Sequence, residues 1–280
     1  MRFAILSDIH GNLEALRAVA EDIDRSNVDE IICLGDSIGY GPNPAECLDW
    51  VREHCYALLG NAEEAVLFHP SSGGEADSPV VAWTRLALGM ALESPRLPLS
   101  RHPNPTEPFA MVGDDGEMGH TGPEGYRHGR ERRDYLESLP RVGWRADALL
   151  VHASPRNPLH EYLLPGCVDA AAAFETLFHL FPRWAFVGHT HLPGVFTEDR
   201  RFVSAAASPV FTLTGQRALV NVGSVGQSRD GDPRACYVLW EEDRVAFQRL
   251  EYDLAAFLAK TRLHPELASP QTMRWFPAAT

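Results

Sequence analysis

Five short apolar runs in the 280-residue chain each give way to a side chain able to hold a metal ion. Asp8 and His10 flank Ile9; Asp36 follows Gly35; Asn61 follows Gly60; His152 follows Val151; and His189 and His191 flank Thr190 directly after Gly188. Carboxylate, imidazole and amide oxygen make a mixed donor set suited to Mn²⁺, Fe or Zn²⁺, and no thiolate cluster points to a structural zinc. Taken singly, the pieces have plainer readings. Asp-x-His could cap a helix and leave an imidazole at the surface. The two Gly-Asp/Asn pairs match ordinary turns, and a lone His152 reads as a hydrogen-bonded core residue. His-x-His after a strand is the most specific piece. Seven candidates in one repeated context point to a metal centre.

Converging residues so distant in sequence requires a fold that brings strand ends together. Arg2 to Leu6 reads as a buried strand, followed by a turn and a helix from Asn12 with Leu13, Leu16, Ala20 and Ile23 on one face. Glu30 to Leu34 and Tyr56 to Leu59 read as further strands, separated by a helix near Pro44 to His54. Ala148 to Val151 and Ala185 to Val187 follow the same pattern around a helix near Val168 to Leu180. Ala218 to Val222, Ala235 to Trp240 and Val245 to Tyr252 read as consecutive strands extending or facing the first sheet. The class is α/β, and ligands in such sheets bind outside the carboxyl ends of the strands.

The organisation expected is one domain over 1–262 and a tail over 263–280 read as a loosely packed strap. A helix spans Val80 to Leu92, and an aperiodic insertion, read as a lid, covers about 94–130. The net charge of -13 disfavours nonspecific binding to nucleic acid or anionic membrane. Five cysteines without a Cys-x-x-Cys pair suggest neither a disulfide framework nor a zinc knuckle and fit a reducing cytosol. No apolar stretch approaches the ~18 residues of a membrane span, and no signal-peptide core follows Met1. The expectation is a cytoplasmic protein, with a homo-oligomer left open.

The order Asp8-x-His10, Gly35-Asp36, Gly60-Asn61, His152, Gly188-His189-x-His191 resembles that of the calcineurin-like metallophosphoesterases. Ser7-Asp8-Ile9-His10-Gly11-Asn12, Val151-His152-Ala153-Ser154-Pro155-Arg156 and Asn221-Val222-Gly223-Ser224-Val225-Gly226-Gln227 are similar to phrases of its bacterial and archaeal small-phosphodiesterase branch. The resemblance implies a four-layer α/β/β/α sandwich with a dinuclear site. Asp8, His10, Asp36 and His191 would hold one ion and Asp36, Asn61, His152 and His189 the other, with Asp36 bridging and manganese the first choice of metal. Two such ions would ionise a bridging water for in-line attack on the phosphorus of a small or tethered phosphoester. Asp36 and His10 are the candidate catalytic residues. Asn12 and Arg156 are candidate phosphate contacts, and Asn221 and Ser224 candidate lining, against a helix cap for Asn12 and turn bonding for the others.

One departure stands out. Where many relatives carry a histidine after the asparagine ligand, this chain has Ala62. A general acid contributes ~10²- to 10⁴-fold in rate, so its loss matters most for poor leaving groups. Glu63, Glu64, His69, His102, His120 or His128 would have to replace it, or substrates would be confined to those whose leaving group departs unaided. The alternative is a weak or inactive phosphoesterase-fold scaffold. The seven retained polar ligands argue against that, since their burial is costly without a partner. Pro193 and Gly194 in place of further ligands exclude a metallo-β-lactamase site, and a P-loop is absent.

Overall fold

A computed structural model describes residues 1–68, 78–90, 110–112, 118–120, 123–169, 171–213 and 215–276. In chain order the elements are β1 (Arg2–Leu6), α1 (Leu13–Arg25), β2 (Glu30–Cys33), α2 (Pro44–His54), β3 (Tyr56–Ala57), α3 (Asn61–Leu67) and α4 (Pro79–Ala87). There follow β4 (Ala110–Val112), β5 (Met118–His120), α5 (Pro123–Ser138), β6 (Val142–Arg145), β7 (Ala148–Val151), a 3₁₀ turn (Pro165–Asp169) and α6 (Ala171–Phe178). The chain continues through β8 (Trp184–Val187), β9 (Gly194–Thr197), β10 (Arg201–Ser204), β11 (Val210–Thr212), β12 (Ala218–Asn221), β13 (Ala235–Glu241), β14 (Arg244–Leu250), α7 (Leu254–Arg262) and α8 (Pro270–Met273).

Two mixed six-stranded sheets result, ordered β11-β14-β13-β1-β2-β3 and β10-β9-β12-β8-β7-β6. The alternation of side chains along each strand fixes how they stack. Phe3 and Ile5 of β1, Ile32 of β2 and Val238 of β13 meet Ala148 and Leu150 of β7, Trp184 and Phe186 of β8 and Val220 of β12 in one buried cluster between the sheets. The intervening residues face outward. Ala4, Leu6 and Tyr237 pack on Leu16, Val19 and Ile23 of α1 and on Cys47 and Val51 of α2. Leu149, Val151, Ala185 and Val187 pack on Phe174, Leu177 and Phe178 of α6. The layers are therefore α/β/β/α. Within them β1, β2 and β3 run parallel, as do β7, β8 and β12, so within each sheet the ligand-bearing strand ends point the same way.

Several expectations change. β3 is two residues long, because Leu59 turns to bond Pro140 O at 2.9 Å. α4 ends at Ala87 rather than running to 92. α5 starts at Pro123, so the last part of the expected insertion is helical, and β4 and β5 pair as a small hairpin within it; the remainder of 94–130 lies outside the described residues. β12 joins the second sheet while β13 and β14 extend the first. The tail is not a loose strap: Leu267 is fully buried, and Phe276 packs on Phe257 of α7 at 5.1 Å between ring centres. Of the tryptophans, Trp184 is core and Trp144 is exposed. No helix among the described residues is long and apolar enough to cross a membrane.

Candidate metal centre

The loops after the strands are stitched to one another before any side chain is considered. Asp8 N–H donates to Gly35 O (3.0 Å), His10 N–H to Asp36 O (2.9 Å), Gly188 N–H to His152 O (2.8 Å) and Gly226 N–H to Asp8 O (3.0 Å). Asp8, His10, Asp36, His189 and His191 all take positive φ, from 49° to 64°. Non-glycine residues rarely occupy this left-handed region, and they concentrate there at functional sites where surrounding bonds over-determine the backbone. The glycines beside them are forced by close approach. A Cβ on Gly60 would lie 2.2 Å from Asp36 Oδ1, and one on Gly188 2.4 Å from Asp8 Oδ2.

Two buried groups of ligand atoms form, Asp8/His10/His191 and Asp36/His152/His189. In the first, His191 Nε2 lies 3.1 Å from Asp8 Oδ1 and 3.2 Å from His10 Nε2. In the second, His152 Nε2 lies 2.9 Å from Asn61 Oδ1 and 3.2 Å from His189 Nδ1. Asp36 Oδ2 stands between them, 3.7 Å from His10 Nε2 and 3.6 Å from His152 Nε2. All seven sequence-predicted ligands therefore meet.

The donor chemistry fits cations. His10 Nδ1–H donates to Ile38 O (3.2 Å) and His191 Nδ1–H to Gln227 O, which fixes both tautomers with the Nε2 lone pair turned inward. Two lone pairs 3.2 Å apart with no proton between them repel, and a positive ion removes the conflict. Asp8 Oδ1 and His189 Nε2 are also buried without a hydrogen bond among the described residues. Burial pushes the imidazoles of His10, His152 and His191 down and that of His189 to about 3, which keeps all four unprotonated and available. Burial, reinforced by the charges of Glu63 and Asp8, pushes the Asp36 carboxyl well up; clustered buried carboxylates of this kind call for counter-charge.

A supporting shell was not legible beforehand. Glu63, fully buried, accepts from Asp36 N (2.8 Å), Ser37 N (2.7 Å), Ser37 Oγ (2.8 Å) and Gly60 N (3.0 Å). Ala62 N–H donates to Asp36 Oδ1 (2.8 Å), leaving Oδ2 for the site. Asn221 donates to Gly188 O (2.9 Å) and Thr190 Oγ1 (2.8 Å), and Ser224 Oγ donates to Asp8 O (2.8 Å). Both brace the ligand loops from within rather than line the crevice. Asn12 caps α1 through Ala15 N (3.0 Å) and donates to Gly226 O (2.9 Å) with no exposed surface, so its side chain serves the fold instead of an incoming phosphate. Arg156 is committed to Glu161 and to Thr176 Oγ1 (3.3 Å).

The family model for the calcineurin-like phosphoesterase superfamily domain matches residues 1–244. The chain belongs to that superfamily. A metallophosphoesterase from Sphaerobacter thermophilus is 30% identical, with a TM-score of 0.72 over 98% of this chain and 97% of its own. An uncharacterised protein of Methanocaldococcus jannaschii is 29% identical over 261 residues, covering 90% of this chain and 88% of that one. A hypothetical protein of Pyrococcus horikoshii OT3, at 18% identity and a TM-score of 0.59, shares the fold.

In place of the superfamily's usual histidine stands Ala62, partly buried beside the Ile38–Leu48 cluster, and the three candidate replacements among the described residues are engaged elsewhere. All of Glu63's acceptor capacity is used. Glu64 binds Arg141 (2.7 Å) and His160 (2.7 Å). His128 faces Glu131 at 3.5 Å on α5. His69, His102 and the His120 side chain lie outside the described residues. The aromatic rims went unread in the sequence: Tyr40 stands edge-on to His10 (4.8 Å), and Tyr162, 53% exposed, packs against His189 (4.2 Å).

Proposed function

We propose that the protein is a phosphoesterase working through a dinuclear centre. Asp8, His10, Asp36 and His191 would hold one ion and Asp36, Asn61, His152 and His189 the other, with manganese first in order and iron or zinc next. The observation that carries this reading is the position of Asp36 Oδ2, near-equidistant from the two imidazole groups. When bound, the ions supply Lewis acidity toward phosphoryl oxygens and water ionised near neutral pH, the nucleophile of hydrolysis. The chain's own residues do the rest. Glu63 and Ala62 N–H aim Asp36, the carbonyls of Ile38 and Gln227 orient His10 and His191, and the buried setting keeps every imidazole neutral. Two divalent ions against two carboxylates leave the crevice positive, matched to an anionic ester.

With Ala62 in the superfamily's histidine position, substrates with good leaving groups, such as aryl diesters, should turn over faster than alkyl monoesters. The free cysteines and acidic charge support a cytosolic protein acting on a small or tethered phosphoester. The second reading, favoured by Ala62 alone, is a binding scaffold that keeps the metals without turnover.

The deciding experiment strips the protein of metal and reloads it with Mn²⁺, Zn²⁺ or Mg²⁺. Each form is assayed on an aryl phosphodiester, an aryl phosphomonoester, cyclic nucleotides and a phosphopeptide. Manganese-dependent turnover of an aryl ester supports the enzyme; inactivity on every substrate with every metal, despite bound metal, supports the scaffold.

A further inference from the structure

The run Ser228-Arg229-Asp230-Gly231-Asp232 follows the loop that braces the centre, and its charges separate in an unexpected way. Asp230 is taken by Arg249 and by Ser228 Oγ (2.6 Å), and Asp232 by Arg234 (2.7 Å). Arg229, between them in sequence, has no carboxylate within 4.0 Å among the described residues, unlike Arg234 of the same loop and Arg249 of β14. Its backbone N–H donates to His191 O (3.4 Å), and one guanidinium nitrogen donates to Gln227 Oε1 (3.1 Å), on the residue whose carbonyl orients His191. The guanidinium lies over the Trp275 ring at 5.3 Å, and its Nε is buried without a partner among the described residues.

From the geometry we infer that Arg229 is a substrate-binding residue that grips the phosphoryl group across the metal centre, with Gln227 and Trp275 holding it in place. This inference rests on the phosphoesterase reading above. The side chain is tethered by Gln227 and unpaired by any acid among the described residues, so its charge is left for a ligand. A guanidinium beside two bound cations is repelled by them unless an anion lies between, and phosphate oxygens match its planar fork. Its backbone bond to His191 O and its guanidinium bond to Gln227 Oε1, on the residue that orients His191, place it beside the ligand loop of the first group. Gripping a non-bridging oxygen, it would supply part of the charge stabilisation lost with the histidine replaced by Ala62.

The test uses the full manganese-loaded chain and inorganic phosphate as probe, by calorimetry and as a competitive inhibitor, together with kcat/KM on an aryl phosphodiester. Arg229→Gln should weaken phosphate binding about 10- to 100-fold, the range of a lost charge-assisted bond. It should lower kcat/KM to a similar extent while manganese stoichiometry and melting temperature stay unchanged. Arg229→Lys should recover part of the loss, and millimolar guanidinium ion should partly rescue the Gln variant. Trp275→Leu should weaken phosphate by roughly 2- to 5-fold through the lost ring contact. Unaltered phosphate affinity in Arg229→Gln, or loss of manganese from it, overturns the inference, and so does absence of phosphate binding by the wild-type protein. A wild-type protein that binds phosphate through Arg229 yet turns over no ester leaves this inference standing and removes the enzymatic one.

Discussion

Replacing Glu63 by Gln tests whether the centre is held by its supporting shell. One carboxylate oxygen takes two backbone N–H groups, of Asp36 and Gly60, and the other takes the N–H and hydroxyl of Ser37. An amide has one acceptor. Its NH₂ is best placed at Ser37, where the hydroxyl can reverse, but the Ser37 N–H is then orphaned in a fully buried setting, at about 1–3 kcal/mol. The remaining bonds also fall from charge-assisted to neutral strength. Relief of burying a charge offsets part of this, leaving a net loss of roughly 2–4 kcal/mol, or about 5–10 °C in melting temperature. Metal affinity should drop about 10- to 100-fold, as for other outer-shell changes. The penalty should be smaller in the metal-free protein, because there the lost charge also relieves Asp36. Calorimetric melting of both forms and a manganese titration check this. Unchanged melting and unchanged affinity, or a larger penalty without metal, would refute the reasoning.

Further outcomes are expected. Asp36→Asn should disturb both ions and His10→Ala one, so metal analysis of the two variants should show the larger loss in the first. Gly60→Ala drives a methyl toward Asp36 Oδ1 and should cost about 1–3 kcal/mol in denaturant unfolding together with metal affinity. Folded-state imidazole pKa values lie below the unfolded 6.5, so unfolding of metal-free protein takes up protons below that pH. Its stability should fall as pH drops below 6.5, by ~1.4 kcal/mol per unit from His189 down to about pH 3, with further loss from the other lowered imidazoles and partial offset from Asp36, whose raised carboxyl takes up its proton in the folded state, measured by denaturant titration; a slope unchanged in His189→Ala would contradict the buried neutral imidazole.

How much was legible in sequence follows from periodicity and punctuation. Strands such as β7, apolar at every residue, and β1, apolar after Arg2, announced themselves because both faces are covered, and so did the ligands that end them. α3 and the Glu63 bonds were hidden, because a glutamate after Gly-Asn-Ala carries no sign that it folds back on Gly60. β9 and β10 are short and flanked by charge, β11 is only three residues long, and α5 is too polar to show a face. Trp144 carries the apolar signal of a core residue yet lies exposed at 46%. Arg229 was invisible for another reason: its neighbours are acidic, and only the structure reveals that they bind other arginines.

The ligands' unusual backbone angles are held by amide–carbonyl bonds between loops. That bracing is made of polypeptide alone, so swapping one cation for another would ask little of it. Which element resides there would then be dictated by supply in the surroundings and by exchange rates, and a single chain could present different reactivities under different metal regimes.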